Sequence, residues 1–354
     1  MSGQLRSDCF KLKKSEKEVE LLILMNQLIA WHYEHCSAYK SLIDAYGGLQ
    51  VYKALDDIPP VVAALFKHFD LKSIPDSDVY KVLSSSGTTS QSVSKISLDK
   101  ETASLQSQAL VKILQSFLGK QRKPMVFVEC QNPPKDRYAF SARVAGAQGL
   151  SLFAREKCYI LNDDMSLNVD VLKSFCELHR NEPILFFGFT FIVWCHFLNE
   201  LERLDIKIDL PNATLIHSGG WKKMLANSVG NIEFKRVISE RLGIQSVHDF
   251  YGMVEQTGSI FMECDQGVLH CSDYGDVLIR NLETWQVCKI GESGVIQVFS
   301  SLTKSYPGHS ILTEDLGVLL GEDDCLCGRQ GKYFKVQGRI PKAEVRGCSD
   351  TYVE

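Results

Sequence analysis

The apolar positions along the chain change texture near residue 260. Before it, Leu21, Leu22, Leu24, Leu28 and Ile29 recur at helical spacing, and residues 15–50 read as helical. Asp56, Asp57 and Ile58 run into Pro59 and Pro60, a turn that predicts a short apolar helix over 61–66. Short apolar runs predict strands ending at Val82 and Leu83, resuming over 95–98, and again over 125–129, 151–153, 184–187, 214–217 and 247–251. Between them 101–118, 169–178, 190–204 and 232–242 read as helices. After residue 260, short strands and glycine turns take over, at 275–280, 294–299, 313–320 and 332–337. The order predicts an α/β portion over 1–260, a β-rich portion over 261–338 and a short tail over 339–354.

Length and composition add limits. A chain of 354 residues holds about two domains or one large one. With 45% apolar and 23% charged residues it is an ordinary globular sequence, not a disordered chain or a coiled coil. Lys and Arg number 39 against 43 Asp and Glu, a net charge of -4, so no basic excess invites nucleic acid. The longest apolar run, 184–198, is interrupted by Thr190 and His196 and is shorter than the roughly 20 residues a membrane span needs. Twelve scattered cysteines behind a charged N-terminus without an apolar stretch fit a reducing cytoplasm better than a disulfide scaffold.

Candidate chemistry sits in the turns. Ser84, Ser85, Ser86, Gly87, Thr88 and Thr89 form a loop of hydroxyls around one glycine, with Lys95 beyond it. Backbone N–H groups, hydroxyls and a lysine suit the phosphates of ATP, although the order is not a Walker A motif; the alternative is a polar surface loop. His217 ends an apolar strand and leads into Ser218, Gly219 and Gly220, where a flat ligand can approach the backbone. Tyr251, Gly252 and Glu255 offer a ring for a base and a carboxylate for a metal or hydroxyl. Asp315 follows Glu314 before Gly317 in a further acidic turn. Cys264, His270, Cys325 and Cys327 make a Cys₃His set suited to tetrahedral structural zinc, with Cys271 as a rival ligand. Gly188 and Phe189 lie in an aromatic stretch that either lines an acyl channel or packs a core.

Taken together, the loop from Ser84 to Lys95, the turn from Tyr251 to Glu255, the segment from Thr313 to Gly317 and the pair Gly338–Arg339 resemble the adenylate-forming superfamily. The segments from His217 to Lys223, from Tyr306 to Asp315 and from Gly338 to Asp350 resemble more closely the LuxE-type acyl-protein synthetases, over roughly residues 15–354. The resemblance implies an α/β fold: the large N-terminal domain of an adenylate-forming enzyme with a β-rich C-terminal portion. It implies ATP phosphates on Ser84 to Thr89 and Lys95, adenine beside Tyr251, Mg²⁺ near Glu255, ribose on Asp315, and Arg339 at ribose or phosphate. It also implies an acyl group carried on Cys348. Glu314 stands where the superfamily often has glycine.

Only fifteen residues follow Arg339 and six follow Cys348, so the expectation is a chain lacking the usual mobile C-terminal domain, with the acceptor thiol in its tail. Cys348 lies beside Gly347 and two residues from Arg346, a setting that favours thiolate. His217 either meets the substrate carboxylate or simply ends a strand. Three functions compete: an acyl-protein synthetase that activates a fatty acid and hands the acyl group to a reductase or transferase; a ligase using coenzyme A or a carrier protein; and a non-catalytic nucleotide-binding relative.

Overall fold

The computed structural model describes residues 5–6, 8–85, 93–131, 149–220 and 229–340. The chain divides into two compact units. One takes the described parts of Met1–Ser85, Ser92–Phe117 and Gly252–Glu344; the other takes those of Leu118–Tyr251.

The first unit opens with helix α1 (Lys14–His35) and helix α2 (Ser37–Ala45). Lys17, Leu21, Met25, Leu28 and His32 are buried along one stripe of α1, the three- and four-residue spacing of a core-facing helix. The region expected to be helical over 61–66 splits. Val61 and Val62 form strand β1, parallel to Ile311 and Leu312, and the helix α3 (Leu65–His68) follows. An apolar run this short does not distinguish strand from helix, and a distant partner strand decides it. Strands β2 (Lys81–Ser84) and β3 (Lys95–Leu98) pair antiparallel, and helix α4 (Lys100–Leu118) follows.

The second unit is a parallel sheet. Its strands are β4 (Lys123–Cys130), β5 (Ala154–Leu161), β6 (Leu185–Phe189), β7 (Thr214–Ser218) and β8 (Ser246–Tyr251), in the order β5-β4-β6-β7-β8. The stretch expected as a strand over 151–153 is the end of a helical turn at Ser151 followed by a turn at 152–153, and β5 begins just after it. Helix α5 (Val169–Leu178) is capped by Asn168, whose side chain accepts from the Val171 N–H at 3.1 Å. The apolar run 184–198 resolves into β6, one turn of α-helix (Thr190–Ile192) and a π-helical turn (Val193–Leu198). Helix α6 (Thr190–Ile192) thus leads through that turn into α7 (Asn199–Arg203). Helix α8 (Asn231–Leu242) ends on Gly243, whose φ of +67° is the left-handed C-cap. No described helix is long and apolar enough to cross a membrane.

The remaining strands belong to the first unit: β9 (Phe261–Glu263), β10 (Leu269–His270), β11 (Gly275–Arg280), β12 (Ser293–Ser300), β13 (Ser310–Glu322) and β14 (Lys332–Arg339). They pair antiparallel in the order β11-β12-β13-β14-β10-β9. Leu21, Met25, Leu28 and Ile29 of α1 pack with Tyr52, Leu55, Ile58, Leu278 and Phe299 in one core cluster. Under this helix lies a buried ion triad. Lys332 Nζ donates to Asp276 Oδ2 at 2.9 Å, and Lys17 Nζ stands 3.6 Å from Oδ1. Burial alone pushes the Asp276 carboxyl up, but the two ammonium groups outweigh it and hold it below its usual value.

Removing one partner of such a set leaves buried charge uncompensated, so Asp276→Ala is expected to lose about 3–5 kcal/mol of stability by urea titration. The depressed Asp276 value fixes the sign in acid. Its stabilising contribution is complete above the unfolded carboxyl value and is lost as pH falls through the folded one, so melting temperature should fall below about pH 4. An unchanged midpoint for Asp276→Ala would show that the triad contributes nothing.

Candidate functional site

The two ends of the hydroxyl-rich segment lie in the first unit and are bonded to each other. Ser84 pairs with Lys95 across β2 and β3, Ser85 N donates to Ser94 O at 3.1 Å, and Ser94 N donates to Ser85 Oγ at 2.9 Å. Ser86, Gly87, Thr88 and Thr89 lie outside the described residues, as does Cys348.

A charged cluster forms where β13 changes neighbours. On one edge β1 pairs with Ile311 and Leu312, and β14 takes over at Asp315, which lies opposite Arg339. Arg339 Nη2 donates to Glu314 Oε2 at 3.3 Å and its Nε stands 3.5 Å from Asp315 Oδ1. Lys67 of α3 lies 3.9 Å from Glu314 Oε1. Glu314 is therefore bracketed by two cations, and its carbonyl accepts from Ile340 N at 2.9 Å. The Asp315 N–H donates to Thr313 Oγ1 at 3.1 Å, which fixes the turn.

Glu255 lies in a short 3₁₀ turn and is buried. The neighbouring Gln256 side chain donates to Val298 O at 3.1 Å and Gly308 O at 2.8 Å, which locks the turn onto the sheet. Burial pushes the Glu255 carboxyl up, and the field of Lys67 opposes that. Lys67 was not a sequence candidate. It directly follows the apolar stretch 61–66 and carries no motif.

In the second unit the candidates gather at the carboxyl ends of parallel strands. Gly188 pairs with His217, and Phe189 with Ser218; His217 pairs in turn with Asp249, and Ser218 with Phe250, one residue before Tyr251. The sheet reverses direction of growth between β4 and β6, the switch point where open α/β sheets bind ligands. His217 is buried; its Nδ1 meets Thr190 Oγ1 at 2.8 Å and its ring lies 4.5 Å from that of Phe234. Burial, then Lys235 and His248, drive its pKa down to about 3, so the ring is neutral at neutral pH. Ser218 Oγ donates to Phe250 O at 2.8 Å. Gly219 has a φ of +90°, and among the described residues nothing lies within 4 Å of the space beside Gly220. Gly188 is enclosed: a methyl group there would stand 2.6 Å from Val193 Cγ2 and 2.9 Å from Val128 Cβ.

The Cys/His set converges. The ligand atoms of Cys264, His270, Cys325 and Cys327 all lie within 4.8 Å of one another, and Cys271 is not among them. Cys264 Sγ is 3.9 Å from Cys325 Sγ, and Cys327 Sγ is 3.3 Å from His270 Nε2. Two sulfurs bound tetrahedrally at about 2.3 Å from one ion stand about 3.8 Å apart, which matches the sulfur pair. Each ligand pair sits in a tight turn. The Gln266 N–H donates to Cys264 Sγ at 3.4 Å, and Gly267 and Gly328 adopt φ of +70° and +81° to close the two turns. Burial pushes the Cys264 thiol up to about 12 and draws His270 down to about 4. A low imidazole value keeps the ring neutral, the form that can ligate a metal.

Solved structures of an acid–CoA ligase share this architecture. A 2-hydroxyisobutyryl-CoA ligase, in an open conformation in complex with 2-HIB-AMP and CoA, superposes with a TM-score of 0.70 at 17% identity, over 98% of this chain and 81% of that one. The same ligase in its postadenylation state gives 0.69 at 16% identity, over 95% and 70%. The fold is that of the adenylate-forming ligases. The sequence profile described as acyl-protein synthetase, LuxE, matches residues 4–354, and the chain belongs to that family. It is an ATP-dependent acyl-protein synthetase, an acid–thiol ligase. A relative from Vibrio harveyi, a long-chain-fatty-acid–luciferin-component ligase, is 21% identical over 338 residues, covering 90% of this chain and 83% of that protein.

The enclosure of Gly188 makes a direct prediction. Gly188→Ala must displace Val193 or Val128 and should cost about 1–3 kcal/mol, read as a lowered melting temperature without any substrate present. A melting temperature equal to that of the unaltered protein would mean that the strand end has room.

Proposed function

We propose that the enzyme activates a fatty acid as its acyl-adenylate and then loads the acyl group onto Cys348. The carboxylate oxygen attacks the α-phosphorus of ATP, the bond to the β-phosphate bridging oxygen breaks, and pyrophosphate leaves. The Cys348 thiolate then attacks the acyl carbon, and AMP leaves with the oxygen that had joined the two. A reductase or acyl-transferase would take the thioester onward. The name of the Vibrio harveyi relative supports a long-chain acid.

The observation that carries this reading is the cluster on β13 and β14. Asp315 offers a carboxylate for ribose hydroxyls, and Arg339, 3.5 Å from it, offers a guanidinium for ribose or phosphate. Lys95, at the mouth of the hydroxyl loop from Ser84 to Thr89, supplies a further positive charge for the phosphates. The desolvated Glu255 carboxyl gains most from a bound cation, which fits Mg²⁺; bound there, Mg²⁺ would offset phosphate charge. Tyr251 and Gly252, with Ser218, Gly219 and Gly220, supply a ring and open backbone for adenine. When the Thr190 hydroxyl donates to His217 Nδ1, Nε2–H is left as a donor suited to a carboxylate oxygen, and Phe189 supplies apolar surface beside it.

Zinc fits the Cys₃His set by donor type, mutual spacing and the N–H bond to Cys264 sulfur. All four positions belong to the protein, so its chemistry there is structural.

Incubation with labelled fatty acid and ATP should give pyrophosphate exchange and a hydroxylamine-labile label on the chain. In Cys348→Ala the label should vanish and the exchange persist; a label that stays overturns the cysteine assignment. Transfer to added coenzyme A without any label on the chain would select the CoA-ligase alternative. For the metal, elemental analysis should find one zinc per chain, lost together with tertiary stability in Cys264→Ser. Metal-free protein of full stability would remove zinc from the account.

A further inference from the structure

Arg329 follows the last cysteine of the metal set by two residues and faces two ways. Toward the cysteines, it lies in the same turn as Cys327, and its positive charge acts on Cys327 and His270. Away from them, Nη2 donates to Ser116 O at 3.0 Å, and the guanidinium carbon lies 3.8 Å from the centre of the Phe117 ring and 5.6 Å from that of Phe10. Ser116 carries one of the last four carbonyls of α4, which have no partner within the helix. A cation at that end also meets the negative pole of the helix dipole.

Phe10 closes the arrangement. Its ring stands edge-on to His270 at 6.4 Å and to Phe117 at 5.8 Å, and its carbonyl accepts from Gln330 N at 3.0 Å. The segment around it is tied down further by Asp273 N donating to Cys9 O at 2.7 Å and by Leu12 N donating to Asp273 Oδ1 at 3.3 Å. Three thiolates around a divalent ion leave one net negative charge, and a guanidinium two residues along the chain from Cys327 offsets it.

We propose that Arg329 is an outer-sphere positioning residue of the metal centre, which neutralises the thiolate set with one face of its guanidinium and caps the C-terminal end of α4 with the other. This rests on reading the Cys₃His set as a zinc site. Metal loading then fixes the last turn of α4 and the segment around Phe10, two stretches that contribute no ligand. The loop over 325–329 is held to the β9–β10 turn by the ion and to α4 by Arg329. Lysine can replace the charge, but as a point cation it cannot both lie flat on Phe117 and reach the Ser116 carbonyl.

The test uses the full chain with zinc bound, in the unaltered protein and in Arg329→Met and Arg329→Lys. Zinc affinity is read by competition with a chromophoric chelator, and local order by amide hydrogen exchange over residues 113–118. Arg329→Met should weaken zinc about 10–100-fold and speed exchange at 113–118. Arg329→Lys should hold zinc near the original affinity while exchange at 113–118 stays fast. Zinc removal from the unaltered protein should speed exchange at 113–118 as well. If the unaltered protein binds zinc and Arg329→Met binds it equally well, or leaves 113–118 protected, the role of Arg329 is overturned and the zinc site stands. If the unaltered protein binds no zinc, the metal reading fails and this proposal fails with it.

Discussion

The charged end of the first unit depends on one exchange of partners along a strand edge. Strand β13 has β12 on one side throughout most of its length. Its other edge is shared: β1 covers Ile311 and Leu312, and β14 covers Asp315 onward. The backbone at Thr313 and Glu314 therefore sits between two strand ends that approach from different parts of the chain. Lys67 comes from just after β1 and Arg339 from the end of β14, and both meet Glu314. A continuous edge would exclude one of these cations. The handover concentrates charge at Glu314 and at Asp315 and Arg339, the two positions proposed to meet ribose and phosphate, and the buried Glu255 lies within the field of the same lysine.

Packing at the other features of this unit follows a different logic. The triad of Lys17, Asp276 and Lys332 joins α1 to β11 and β14 through ions rather than through apolar contact alone. Its worth lies in being complete, since each member is costly to bury without the others. The Cys₃His set applies the same constraint to loops. With the proposed zinc bound, short β-hairpins with little core of their own would be fixed by ligands instead of by area. Arg329 extends that constraint to α4, whose other end follows β3 and so the base of the hydroxyl loop.

Much of this was legible in the sequence because it depends on local pattern. Strand β11 falls on residues 275–280 as expected, since alternation and its glycine turns define it locally. The four metal candidates were recognisable by residue type, and their convergence across 55 residues was supplied by the pairing of β10 with β14. What escaped was non-local. Val61 and Val62 became a strand only because Ile311 and Leu312 offered an edge. Lys17 stands among charged residues at the start of α1, yet it is buried against Asp276. Lys67 and Arg329 carry no motif, and each acquires a role only from what the fold sets beside it.

The central claim is that the acid is activated as an adenylate, and oxygen tracing tests it most directly. A fatty acid labelled with ¹⁸O in its carboxylate is converted with ATP through to the thioester, and the nucleotide products are weighed. Adenylation predicts one ¹⁸O in AMP and none in pyrophosphate. Label in inorganic phosphate, with ADP as the nucleotide product, would mean an acyl-phosphate route and would contradict the account.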